Sequence, residues 1–262
     1  MKRKTSVAGS FYPEESAELL RYFEHFSASY DEDSTLVKIK SRVVIAPHAG
    51  YIYSGYTANV AYRVLQKSGV KKFVVIGPSH RVAFLGISLC DFDSYETPFG
   101  DIKADKNMAQ KLQDRFSLGC VSGAHFEHST EVQFPFIKHY IADVQIVELV
   151  YSRMDASELS KIIEFILEQE DFGVIISTDL SHFYTLEDAN KLDNICLSAI
   201  EQLDIKMLHN GCEACGEIGI EAVLLSAKKL KMKSHILDYR TSADASGDEK
   251  RVVGYVSACF YE

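Results

Sequence analysis

FVVIGPSH, residues 73–80, is the stretch whose reading decides the fold. Phe73, Val74, Val75 and Ile76 form an apolar run without polar alternation, as a strand covered on both faces requires. Gly77 and Pro78 stop the run, and His80 follows. The same grammar recurs twice. VVIAPH (43–48) ends in His48, and VIISTDLSH (174–182) carries Asp179 and then His182. Ligands of open α/β sheets bind outside the carboxyl ends of the strands. Three strand ends that each offer a histidine therefore predict one shared rim, provided the strands are neighbours.

Outward from these strands, helical periodicity covers 14–28, 54–68 with Ser54 as N-cap, 104–115, 155–169, about 185–202 and 216–231. Strand patterns cover 42–46, 85–89, 144–150, 173–178, 235–240 and 252–260, and 93–100 reads as a turn-rich loop. No repeat, low-complexity linker or composition shift divides the chain. Strands interleaved with helices predict a single three-layer α/β domain over 1–262, its central sheet largely parallel and flanked by helices.

The 262 residues are 47% hydrophobic and 25% charged, enough for a core without staples. The formal net charge of -9, with no basic stripe, argues against a nucleic-acid partner. KKLKMK (228–233) reads as the solvated end of a helix. No apolar run approaches the ~20 residues of a membrane span, and no apolar stretch follows the basic start MKRKTSVAGSFYP. Six scattered cysteines suit a reducing compartment. The expectation is a soluble, cytoplasmic protein. CEAC (212–215) is a lone C-x-x-C, read as local packing because a structural zinc site needs two more ligands. Ser79, Ser177 and Ser181 lack a G-x-S-x-G elbow, and no phosphate-cradling glycine motif is present.

Neutral imidazole suits iron, zinc, copper and nickel, and two histidines with a carboxylate form the non-haem iron(II) arrangement. The candidate ligands are His48, His80 and His182, with Asp244 of the polar loop TSADASGDEKRVVGY as a further carboxylate. Asp179, three residues before His182, is either a ligand or the partner that orients one. His182 with Asp179 is also the candidate acid–base pair. In HFEHSTEVQFPF (125–136), Glu127 and Glu131 lie four apart on a helix start and suit its dipole. For His125, Glu127, His128 and Glu131 a substrate-facing or supporting role is favoured over metal ligation. Tyr51 and Tyr53, with Tyr56, line a pocket beside His48 or pack the following helix.

AGSFYP, APHAGYIYSGYTA, GPSH, EHSTEVQFPF, STDLSHF, ACG (214–216) and TSADASGDEKRVVGYVS, in order from about 8 to 258, resemble the Memo family. Its animal member mediates ErbB2-driven motility, and prokaryotic members carry the label AmmeMemoRadiSam system protein B. The resemblance implies a fold similar to class III extradiol dioxygenases, which use non-haem iron(II). It implies pocket histidines at His48, His80 and His182, metal binding, and a phosphotyrosine-peptide ligand for the animal protein. The animal pocket adds a cysteine from the last loop, and that position is Ala245 here. Without a thiolate there, iron(II) or zinc is expected ahead of copper. The label also implies radical-SAM pathway partners. Three readings follow: a metal-binding, dioxygenase-like protein acting on an unknown small molecule or peptide; a non-catalytic peptide, phospho-ligand or partner-binding protein; and a metal-dependent hydrolase.

Overall fold

The computed structural model describes residues 1–32 and 39–262. Its strands are β1 (Lys2–Arg3), β2 (Val43–Ala46), β3 (Lys72–Pro78), β4 (Ile87–Ser88), β5 (Ser94–Tyr95), β6 (Ile102–Ala104), β7 (Gln145–Tyr151), β8 (Phe172–Ser177), β9 (His182–Tyr184), β10 (Lys233–Thr241) and β11 (Val252–Tyr261). Its helices are α1 (Ser16–Glu32), α2 (Tyr51–Ser68), α3 (Lys106–Phe116), α4 (His128–Glu131), α5 (Gln133–Tyr140), α6 (Ala156–Leu167), α7 (Leu186–Gln202), α8 (Ile205–Leu208), α9 (Glu217–Lys229) and α10 (Ala243–Ser246).

These strands make one sheet in the order β1-β5-β6-β7-β3-β8-β2-β11-β10, with β4 on β7 and β9 on β11. The block β6-β7-β3-β8-β2 is parallel throughout. Antiparallel pairs β5–β6 and β2–β11–β10 flank it. Alternate residues of one strand feed opposite cores. Val43, Ile45, Val74 and Ile76 pack under α6, α7 and α9 through Leu159, Ile163, Ile200 and Leu224. Val44, Ala46, Phe73 and Val75 pack under α1, α2 and α5 through Leu19, Phe23, Leu65 and Phe136. Each such fully buried side chain contributes roughly 1.5–3 kcal/mol, which is why the apolar runs carry no polar alternation. The α/β class, the single domain and the helices on both faces agree with the sequence reading.

Three details differ. Helix α2 starts at Tyr51 behind Gly50, so Ser54 lies inside it, its hydroxyl bonded back to the Ala49 carbonyl at 3.1 Å. The loop at 93–100 contains β5, whose two residues gain their partners from β1 and β6. Cys90–Cys120 and Cys196–Cys212 are disulfides, leaving Cys215 and Cys259 free. The fold brings partners 30 and 16 residues apart to Cα separations of 4.7 and 4.8 Å, which their spacing does not reveal. No helix among the described residues is long and apolar enough to cross a membrane.

Candidate metal centre

Because β3, β8 and β2 are adjacent and parallel, their carboxyl ends open on one edge. The ends of β2 and β8 are tied directly: the His48 N–H donates to Asp179 Oδ1 at 2.7 Å. The end of β3 is tied to α4. Gly77 makes this possible, since a Cβ there would sit 2.6 Å from Ser129 Oγ.

Glu127 caps α4, accepting from the backbone N–H groups of His128 at 2.9 Å and Ser129 at 3.3 Å. The same carboxylate takes the His80 N–H at 2.7 Å, His80 Nδ1 at 3.1 Å and His128 Nδ1 at 2.8 Å. Burial pushes the Glu127 carboxyl up, but hydrogen bonds from the His128 and His80 side chains and the His80 backbone outweigh it. The group is held below the usual carboxylate range. An ionised carboxylate only accepts, so both Nδ1 atoms carry their protons, which leaves Nε2 as the ring nitrogen open to another partner.

His48 is fixed in the same tautomer by another device. Ser177 Oγ donates its one proton to the Ser129 carbonyl and accepts from Gln133 Nε2 at 2.8 Å. Its contact with His48 Nδ1 at 3.0 Å must therefore be an N–H donated by the ring. Gln133 is itself held by Tyr62 at 2.8 Å and the Pro47 carbonyl at 2.9 Å. Burial, and then the neighbouring His80 and His128, drive His48 well below its ordinary pKa, so it stays neutral.

The ring centroids of His48, His80 and His128 lie 5.2, 5.3 and 4.5 Å apart. Each offers a ligand atom within 4.8 Å of the others. The donor set is thus three imidazoles, oriented by their Nδ1–H bonds as metal-ligating histidines usually are. These residues fit a borderline cation such as iron(II) or zinc.

The sequence grouped His125, Glu127, His128 and Glu131, and the structure splits them. His128 joins the trio and Glu127 supports it. His125 is buried with both nitrogens engaged, Nδ1 by Glu148 at 2.7 Å and Nε2 by Ser88 at 2.8 Å. Glu131 is buried and takes Ser6 N at 2.8 Å, Val7 N at 2.8 Å, Tyr12 OH at 2.9 Å and the Arg3 guanidinium, clasping the N-terminal segment. His182 stands outside the trio, half-buried on β9 opposite Val253. Asp179 is buried, and burial raises its carboxyl against the His48 N–H and the nearby histidines.

Asp244 is exposed on α10 and accepts from Thr241 N at 2.7 Å. With Ala245, Tyr51, Tyr53 and Arg240 it lines a cavity of about 650 Å³. Tyr51 is buried, its hydroxyl donated to the Val132 carbonyl at 2.6 Å, while Tyr53 is exposed. Sequence reasoning missed Ser177 and Gln133 as supports and Cys215 as a neighbour of His48. Only the ACG stretch signalled the last.

A Memo-like protein family model matches residues 3–259. A MEMO1 family protein of Aquifex aeolicus is 32% identical, covering 98% of both chains. Another from Methanobrevibacter smithii is 35% identical, covering 99% of this chain and 100% of its own. One from Thermoplasma acidophilum is 35% identical, covering 98% of both.

Proposed function

The chain belongs to the Memo-like family, and on that premise we propose that its histidine trio is a metal-binding centre in a dioxygenase-like pocket. The observation that carries the reading is the shared tautomer. Glu127 and Ser177 take the Nδ1 protons of His80, His128 and His48, which would leave Nε2 as the ligand atom of each ring in a cluster that could hold an ion. Iron(II) and zinc are the metals proposed. A bound cation would supply Lewis acidity and an open coordination position. The chain's own part is to orient the donors and handle a proton. His182 and Asp179 would hold that proton beside the rim, the buried carboxyl favouring its neutral form.

The ligand proposed is a small molecule or a peptide. Phe126, Phe183 and Tyr53 support this, being exposed and close in sequence to His128, His182 and His48. Phe183 also holds a left-handed φ of 67°, a conformation that clusters at functional sites. A link to radical-SAM partners rests on the family resemblance.

The test is metal content by mass spectrometry on protein purified without oxygen, wild type against His48→Ala/His80→Ala. Near-stoichiometric iron or zinc, lost in the double variant, is expected. Wild type that carries no metal and takes up neither added iron(II) nor zinc would refute the centre.

A further inference from the structure

The Cys215 sulfur approaches the trio at its His48 corner, 3.2 Å from Nε2. This is the atom the Ser177 relay leaves without a proton, so the thiol donates to the lone pair a cation would use. The contact is built by the fold. Cys215 lies in the segment before α9, and that segment is closed onto the end of β8. Gly216 N donates to Thr178 Oγ1 at 2.9 Å, and Cys215 N donates to the Asp179 carbonyl at 3.3 Å. A Cβ at Gly216 would lie 2.6 Å from Thr178, so only glycine lets the segment approach this closely. The Asp179 N–H points back at the sulfur from 3.3 Å, a donor suited to a thiolate. The Cys196–Cys212 disulfide anchors the same segment to α7.

Two donors on one tetrahedral cation, with nitrogen at ~2.05 Å and sulfur at ~2.3 Å, lie about 3.6 Å apart. The observed 3.2 Å is already close to that separation. We propose that Cys215 is a further donor of the centre, binding as thiolate, and that the cation is thiophilic, as zinc is, in preference to iron(II). This rests on the metal-centre reading above. On binding, the S–H bond breaks, its proton passes to solvent, and the sulfur lone pair forms the coordinate bond, with no change of oxidation state. The soft donor absent at Ala245 is thereby supplied from a different loop.

Cadmium(II) added to the full chain in thiol-free buffer is the probe, because it is redox-inert and its thiolate complexes absorb in the ultraviolet. A thiolate-to-cadmium band saturating at one equivalent is expected. Cys215→Ser should keep the native circular dichroism, lose the band and bind at least about ten-fold more weakly. The cadmium NMR shift of wild type should independently report one sulfur ligand, so the result does not hang on the variant folding. Cadmium bound at one equivalent without the band would overturn the thiol donor and leave the histidine centre standing. A band that survives in Cys215→Ser would assign the sulfur to Cys259 and also overturn it. No binding by wild type would refute the centre itself.

Discussion

Glu127→Gln tests the arrangement at its most connected atom. The carboxylate receives five hydrogen bonds, from His80 N, His80 Nδ1, His128 N, His128 Nδ1 and Ser129 N. All five are N–H donors, so an amide in its place turns one acceptor into an NH₂ group facing donors. Hydrogen bonds to a buried charge are worth ~1.5–3 kcal/mol each, and at least one is lost while another donor is left unpaired. The expected destabilisation is about 3–5 kcal/mol, read as a lower urea midpoint with unchanged slope. At roughly 2–4 °C per kcal/mol for a chain of this size, Tm falls on the order of 10 °C. The imidazoles lose the partner that fixes their tautomer, so metal affinity should fall ~10–100-fold in a chelator competition. Glu131→Gln is the control. It is equally buried, but it holds Ser6, Val7, Tyr12 and Arg3, so it should cost stability and leave affinity alone. A folded Glu127→Gln with wild-type affinity, or equal affinity losses in both variants, would refute the claim that Glu127 orients the donors.

Gly77→Ala puts a Cβ 2.6 Å from Ser129 Oγ and 3.0 Å from Thr130 Cγ2, an overpacking of about 1–3 kcal/mol in urea unfolding. Metal affinity should fall with it as α4 is pushed off β3, and wild-type affinity would show that this contact does not set the trio. Acid should destabilise the protein through two groups of the same sign. Burial keeps His48 below its ordinary pKa, so its contribution is full above about pH 6.5 and fades as pH falls below that. The Glu127 carboxyl is depressed, so its contribution is present above the ordinary carboxylate pKa of about 4.3 and is lost on further acidification. Urea midpoints measured from neutral to acid pH should fall, and Glu127→Gln should flatten the acid limb; a limb equally steep in the variant would assign it elsewhere. Alkylation of the unreduced, denatured chain should modify two cysteines, Cys215 and Cys259, and four or six adducts would remove one or both disulfides.

The strand ends were legible because each combines a local period with punctuation that has a physical cause. An apolar run of β-branched residues demands cover on both faces, and Gly77–Pro78, Pro47 and Ser177–Thr178 stop it before a histidine. What could not be read was which side chains meet. His182 lies on the same chain segment as β8, but β9 turns away to pair with β11, and the third imidazole arrives instead from α4. Strands β1, β5 and β6 have two or three residues, too few for any period to show, and exist because long-range neighbours satisfy them. Ser54 has the chemistry of a cap, yet the chain already turns helical behind Gly50.

The same limit hides His128 in the sequence. A ligand histidine is marked less by its own position than by what holds its other nitrogen, and that partner is visible only in space. Glu127 looks in sequence like an acidic residue at a helix start, and it is the N-cap of α4. By accepting from His80 as well, it makes the helix cap and the donor orientation the same bond set. Fold stability and site geometry are therefore coupled there. They are separable at Glu131, one helical turn on, where the carboxylate serves the N-terminal segment alone. Two glutamates four residues apart, alike in type and burial, thus divide structural from site-orienting work, and comparing their variants reads that division directly.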